Sequence, residues 1–255
     1  MSDILQVRGL TKRFGGLAAV NEVDFNVREG GISGLIGPNG AGKTTIFNLI
    51  TGVYKVTSGS VSFEGKDITD TEPYRIADIG ITRTFQNIRL FKNLTVFDNV
   101  LTACHASASY NLADSLLRLP RFRREEKTLK EKALELLSIL GLADRKDAIA
   151  NGLPYGLQRR LEITRALALD PRLLLLDEPA AGMNPDETEQ LMRLIGDIRN
   201  RFKLSVLVIE HHMDLVMGLC EHIVVLNFGQ KLADGTPDAI RGDKRVVEAY
   251  LGGGE

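Results

Sequence analysis

Two cysteines, Cys104 and Cys220, are all the thiol that this 255-residue chain carries. They lack metal-type spacing and are too few for a disulfide framework, which points to a reducing compartment. An excess of either charge is missing too: 32 Lys and Arg stand against 33 Asp and Glu, so no overall basic field advertises nucleic acid as a partner. No apolar run approaches the roughly 18 residues that cross a bilayer. Any service to a membrane is therefore expected to run through partners. The opening MSDILQVRGLTKRF has no uninterrupted apolar stretch after its charges and does not read as a secretory signal. Internal repeats and low-complexity linkers are likewise lacking. What is present is ordinary for a soluble globular chain with a sizeable core, 44 % hydrophobic and 25 % charged. The length fits one large domain, or a domain with a substantial subdomain.

LQVRGLTKRF and VDFNVREG alternate apolar and polar residues, as strands of an antiparallel sheet do. GISGLIG reads as a short strand made of small and apolar residues, followed by a glycine-rich turn and the apolar-periodic helix KTTIFNLITG. GSVSFEGKDI is a further strand with a turn at Glu64-Gly65. From about Asn99 to Ala150 the pattern turns helical. The clearest helix is REEKTLKEKALELLSILGL, with Leu129, Ala133, Leu136, Leu137 and Leu140 on one side. RLLLLDEP and LSVLVIEHH are continuous apolar strands, the mark of a buried parallel sheet. Helices lie between them as in βαβ units, and HIVVLNFGQKLADGTP reads as a closing hairpin. A helical segment thus interrupts an α/β core.

The stretch GPNGAGKTT matches G-x-x-x-x-G-K-[ST] through Gly37, Gly42, Lys43 and Thr44, with a strand before it and a helix after it. The N–H groups of such a loop and the positive end of its helix face phosphates. Glycines let the backbone approach without Cβ clashes. Lys43 is placed to neutralise the β- and γ-phosphate oxygens, and the Thr44 hydroxyl to ligate Mg2+.

Asp177 and Glu178 follow four leucines, at the carboxyl end of a core strand where α/β ligands bind. Asp177 suits the hydration shell of Mg2+ there, and Glu178 suits polarisation of an attacking water. A polar turn after a strand would also read Asp-Glu-Pro; the phosphate loop favours the catalytic reading. His211 and His212 stand just past another core strand, in reach of a γ-phosphate, and the residues alone leave the choice between them open. Gln86 follows a strand-like segment in RTFQNIRLF, a position where glutamines are also commonly just solvated. Phe14 offers either an adenine-stacking face or a partly buried strand aromatic.

Taken together these motifs resemble the ATP-binding subunits of ABC transporters, in matching order along nearly the whole chain. The resemblance is nearest to the LivG-type ATPases of high-affinity branched-chain amino-acid importers. It is carried by RFGGLAAVN, TRTFQNIRLF, LPYGLQRRLEI, LDEPAAGMNP, VIEHHMDLVM and GTPDAIRGDKRVVEAYLG. The resemblance implies a P-loop NTPase fold of the ABC type, with a RecA-like α/β core, an antiparallel β subdomain and an inserted helical subdomain. As a single ABC ATPase domain, it would have its core at 1–86 and 153–235, its helical subdomain at 87–152 and a C-terminal helical segment at 236–255.

It also implies roles. Phe14 would stack on adenine. Gly37, Pro38, Asn39, Gly40, Ala41, Gly42, Lys43, Thr44 and Thr45 would wrap the phosphates of ATP. Thr44 and Gln86 would touch Mg2+, and Asp177 would support it through water. Glu178 would be the general base and His211 the switch histidine, with His212 at a position that usually holds aspartate. Gln86 to Phe91 and the helical insert would receive a permease. Ala180 to Asn184 would meet the opposite subunit, although Asn184 replaces the family's usual aspartate. The implied partners are a second ATPase subunit, two membrane permease subunits and, indirectly, a periplasmic or extracellular binding protein, with no nucleic acid. The implied location is the cytoplasmic face of the bacterial inner membrane.

The signature stretch departs from its usual L-S-G-G-Q. Leu153, Pro154, Tyr155, Gly156 and Leu157 take those places. Pro154 has neither hydroxyl nor N–H, and it also suits the start of a helix. Tyr155 and Gly156 would face the partner's ATP, because the family's dimer is head-to-tail. The weakened stretch then serves the partner's nucleotide, which leads to the expectation of a non-identical mate and two unequal ATP sites. Translation-type relatives carry two cassettes per chain, and repair-type relatives carry long heptad coils between the phosphate loop and the Asp-Glu strand. This chain has neither. A regulatory nucleotide switch would not need the base and the complete glutamine loop. ATPases for urea or amides and for lipopolysaccharide extraction usually keep the signature serine.

Overall fold

The computed structural model describes residues 2–110, 112–117, 119–211 and 213–251. His212, one of the two candidate switch histidines, lies outside the described residues. The chain divides into two compact units, 1–86 with 172–255, and 87–171.

In the first unit the alternating segments form β1 (Asp3–Phe14) and β2 (Leu17–Arg28), paired antiparallel. With β4 (Ser58–Phe63) and β5 (Lys66–Asp67) they make a four-stranded sheet in the order β2-β1-β4-β5. The β4–β5 turn has Glu64 at φ 50° and Gly65 at φ 74°, the paired left-handed backbone of a tight hairpin. A second sheet runs β10-β9-β3-β8-β7-β6. Its β3 (Ile32–Ile36), β7 (Leu173–Asp177) and β8 (Ser205–Ile209) are buried at every position, as expected of strands covered on both faces. β6 (Ile81–Arg83) and β9 (His222–Asn227) join them in parallel. β10 (Gln230–Gly235) closes the edge as the antiparallel arm of a hairpin.

Helix α1 (Lys43–Ile50) follows β3, and α2 (Pro73–Asp78) precedes β6. One apolar cluster joins Leu5, Val7 and Phe25 of the small sheet through Ile46 and Phe47 of α1 to Leu175 and Leu207 of the large sheet. Fully burying a side chain such as Phe47 contributes roughly 1.5–3 kcal/mol, which anchors α1 and the turn that leads into it.

α7 (Pro185–Phe202) buries Leu191, Ile195 and Ile198 along one face. It starts with a capping box: Glu187 N–H donates to Asn184 Oδ1 (2.9 Å) and Asn184 N–H donates to Glu187 Oε2 (3.1 Å). α8 (Met213–Leu219), α9 (Pro237–Gly242) and α10 (Lys244–Leu251) complete the unit.

The second unit is helical: α3 (Val96–Cys104), α4 (Leu112–Leu116), α5 (Pro120–Ile139) and α6 (Tyr155–Leu167). In α5, Leu129, Ala133, Leu136 and Leu137 are buried, with Leu140 just beyond, on the side that the spacing indicates. α6 packs on α3 and α5, and this groups residues 153–171 with the helical unit, whereas the sequence expectation returns to the core at 153. The fully buried Arg159 donates to Glu162 Oε2 (2.6 Å), and Glu162 Oε1 accepts from Arg89 N–H (3.3 Å). Among the described residues, no helix is long and apolar enough to cross a membrane.

Candidate active site

The phosphate loop hangs between β3 and α1. Gly37 has φ 151°, and a Cβ there would stand 2.2 Å from the Leu226 carbonyl oxygen. Gly42 has φ 99°, and its Cβ would meet the Ala19 carbonyl oxygen at 2.6 Å. Gly40 has φ 80° with open space around it, so only its backbone conformation asks for glycine. Lys43 Nζ donates to the Gly37 and Pro38 carbonyls (2.7 and 3.0 Å), which curls the chain around a buried ammonium. Desolvation holds the Lys43 pKa below the ordinary lysine value, opposed by the Glu178 and Asp177 carboxylates.

Ala41 is buried, and its carbonyl accepts from Gly229 N–H (3.2 Å), which fastens the loop to the β9–β10 turn. Asn39, Gly40 and Thr44 are exposed, and Thr45 is half-buried. The loop is therefore held at its back and open where an anion would sit.

Asp177 ends β7 with 1 % exposure. Its Oδ2 accepts from Arg83 Nη2 (3.0 Å). Arg83 Nη1 also donates to Asn48 Oδ1 (2.7 Å) and Thr51 Oγ1 (3.2 Å) behind the phosphate loop. One guanidinium thus ties the acidic strand end to α1. Glu178 is left-handed at φ 45°, a strained conformation for a non-glycine residue, and its N–H donates to the Ile209 carbonyl (2.9 Å). Its Oε2 accepts from Gln86 Nε2 (2.8 Å), and its Oε1 lies 3.9 Å from His211 Nδ1. Gln86, Glu178 and His211 come from three strand ends and meet here.

A cavity of about 900 Å3 opens over Gly37 to Ala41 and His211, walled by Phe228 and by Tyr250 of α10. The Tyr250 hydroxyl is buried beside the Gly37 backbone, and desolvation pushes its pKa up to about 12. Phe14 stands at the end of the β1–β2 hairpin, 45 % exposed, its ring edge-on to Tyr54 (5.3 Å) with the Lys12 ammonium above it (5.0 Å). Tyr155 and Gly156 lie in the other unit, in the first turn of α6. Pro154 is the N-cap there and offers no side-chain cap to the first amides. The Tyr155 hydroxyl accepts from Arg159 Nη2 (3.4 Å).

The donor set of Thr44 hydroxyl, Gln86 amide and Asp177 carboxylate is all oxygen, as a hard cation such as Mg2+ requires. Among the described residues, no group of three His, Cys, Asp or Glu side chains gathers to hold a metal unaided. Chemically, the site pairs a desolvated lysine for phosphate charge with a carboxylate held by an amide, and an imidazole lies 3.9 Å from that carboxylate.

Arg83, Glu210 and Tyr250 also border the site, outside the residues that the sequence motifs mark. Glu210 carries a signal, a charged residue directly after the apolar run of β8, comparable to Asp177 at the end of the leucines of β7. The contacts of Arg83 and Tyr250 are made across folds of the chain that no local pattern reveals.

Residues 20–181 match the ABC transporter family model, and residues 230–255 match that of the branched-chain amino acid ATP-binding cassette transporter. The chain is 49 % identical over 249 residues to the high-affinity branched-chain amino acid transport ATP-binding protein BraF of Pseudomonas aeruginosa, covering 98 % of each. It is 46 % identical, again over 98 % of each chain, to the corresponding protein LivG of Escherichia coli. Among solved structures, the ADP conformation of an ATP-binding cassette of an ABC transporter superposes with a TM-score of 0.86 at 34 % identity, over 99 % of this chain and all of the other.

Proposed function

Since this chain belongs to the ABC transporter family, we propose that it is the ATP-hydrolysing subunit of an importer that takes up leucine, isoleucine and valine. The substrate class rests on relatives named for branched-chain amino acid transport and on the C-terminal match at 230–255. The observation that carries the hydrolytic reading is the Glu178 carboxylate, held by Gln86 at 2.8 Å beside His211 and close to the lysine of the phosphate loop.

ATP binds with its phosphates on the amides of residues 37–45 and its adenine on Phe14. Lys43 leaves the loop carbonyls for the β- and γ-phosphate oxygens. When bound there, Mg2+ would supply charge neutralisation for the transferred phosphoryl group. Thr44, Gln86 and, through water, Asp177 would hold it. Glu178 takes the proton of the attacking water as its oxygen bonds to the γ-phosphorus, the bond to the leaving oxygen breaks, and ADP and phosphate result. His211 steadies the γ-phosphate.

The chain works at the cytoplasmic face of the inner membrane, docked to two permeases through Gln86 to Phe91 and the helical unit, with an external binding protein delivering substrate. A second, non-identical ATPase subunit completes the pair. This last reading is supported by the signature positions, where Pro154 has neither a hydroxyl nor an N–H to offer the partner's nucleotide.

Co-purification with the permeases, reconstitution in vesicles and uptake of labelled leucine test the assignment. ATP-dependent uptake is expected, with Glu178→Gln retaining ATP binding and losing turnover by at least about 100-fold. Vesicles that take up urea or an amide instead would replace the substrate class. Near-normal turnover in Glu178→Gln would remove Glu178 from the role of base. Base-to-Gln substitution in each ATPase subunit separately should give unequal losses, the larger for this chain, and equal losses would sink the asymmetry.

A further inference from the structure

Glu210 has no exposed surface, yet it is a carboxylate and sits one residue before His211. Burying a charge costs several kcal/mol unless its oxygens are satisfied. Its two oxygens go to different loops: Oε1 accepts from Ala180 N–H (3.0 Å) and Oε2 accepts from His211 N–H (3.2 Å). Ala180 opens the loop that leaves Glu178 and runs to the N-cap of α7 at Asn184. The two strand ends are joined a second time by Glu178 N–H to the Ile209 carbonyl (2.9 Å). Glu178 and His211 thus face each other across a gap spanned by one buried side chain and one backbone bond. The imidazole Nδ1 stands 3.9 Å from both Glu178 Oε1 and Glu210 Oε2.

We propose that Glu210 is a positioning residue for hydrolysis, clamping the His211 backbone to the loop after Glu178 so that base and histidine keep one spacing and move together with residues 180–184. A glutamine there would keep the shape but bring an NH2 group against one of the two backbone N–H donors, and the clamp would open on one side. Charge-assisted bonds from amides to a carboxylate are about twice as strong as neutral ones, so Glu and not Gln suits the position. The inference rests on the reading of Glu178 and His211 as the hydrolytic pair. It adds a device that ties them to the loop expected to meet the second subunit.

The test uses the full chain assembled with its partner subunits, carrying Glu210→Gln, His211→Ala, or both. Misplacing a reacting group by about an ångström costs up to about 100-fold, so Glu210→Gln should lower kcat by about 10- to 100-fold. KM for ATP and the affinity for ADP should stay within about twofold, because the phosphate loop is untouched. The double variant should be no more than about twofold worse than His211→Ala alone, since the spacing matters only while the imidazole is present. A Glu210→Gln assembly with wild-type kcat would overturn the clamp. So would ADP affinity falling in step with kcat, which marks general collapse of the site. Full multiplication of the two losses in the double variant would also overturn it. A wild-type assembly that does not hydrolyse ATP would instead sink the functional reading itself.

Discussion

Gly42 and Gly40 are both left-handed glycines of one loop, and they differ in what surrounds them. A methyl at Gly42 would press on the Ala19 carbonyl at 2.6 Å with φ at 99°, whereas Gly40 has nothing within 4 Å. Strained backbone costs about 1–3 kcal/mol, and at Gly42 a clash with main chain is added to it. Gly42→Ala is therefore expected to weaken ADP binding at least about tenfold, and Gly40→Ala clearly less. Calorimetric titration of both variants checks the order, and equal affinities would contradict it. Lys43, Asp177 and Glu178 stand out in the sequence because each sits at a fixed step from a strand end or a glycine turn, whereas Gln86 is marked only by the family resemblance. Arg83 and Glu210 were not legible in the same way. Arg83 reaches Asp177 across 94 positions and Glu210 reaches Ala180 across 30, so their roles exist only once the strands pair.

At the scale of elements, α7 owes its defined start to a reciprocal cap. Asn184 stands where the family usually has aspartate, and in the structure it caps α7 reciprocally with Glu187. Either residue can accept from the N3 amide, so Asn184→Asp should keep the cap and leave stability within about 0.5 kcal/mol. Asn184→Ala should cost about 1 kcal/mol. Urea denaturation of the three proteins measures the difference, and an Ala variant as stable as wild type would show that the cap is idle. The buried face of α5 and the three fully buried strands were legible as elements, because their periodicity is a property of contiguous residues. The grouping of α6 was not, since the packing of Leu161 and Ile163 on one unit or another leaves no trace in the spacing.

For the whole molecule, one cysteine falls in each unit, and both are buried. Burial pushes the Cys220 thiol up to about 12, with the Glu210 and Glu221 carboxylates adding to the shift. Burial likewise raises Cys104 above its ordinary value of 9.0. A thiol whose folded pKa is raised favours the protonated folded state. The unfolded chain ionises first, so stability is kept below about 9 and falls as pH rises from there towards 12. Tyr250 works in the same direction from its ordinary 10.0. Native protein at pH 8 should react negligibly with a thiol-specific reagent, and both cysteines should react once unfolded. Denaturation midpoints should decline between pH 9 and 11. A thiol that titrates rapidly in the native state would contradict the burial on which this rests.

The sequence by itself determined the class of fold, the phosphate loop, the acidic strand end and the family, because each is written in contiguous residues with a fixed period or spacing. It also marked the signature stretch at Pro154 to Leu157 as unusual. Only the tertiary structure decided which carboxylate is tied to Arg83, that Gln86 and His211 flank Glu178, and that α6 belongs with the helical unit. Those facts depend on side chains meeting across separate strands and helices. Such meetings are set by pairing register and by the burial of shared apolar surface, which act between distant parts of the chain and leave no local pattern.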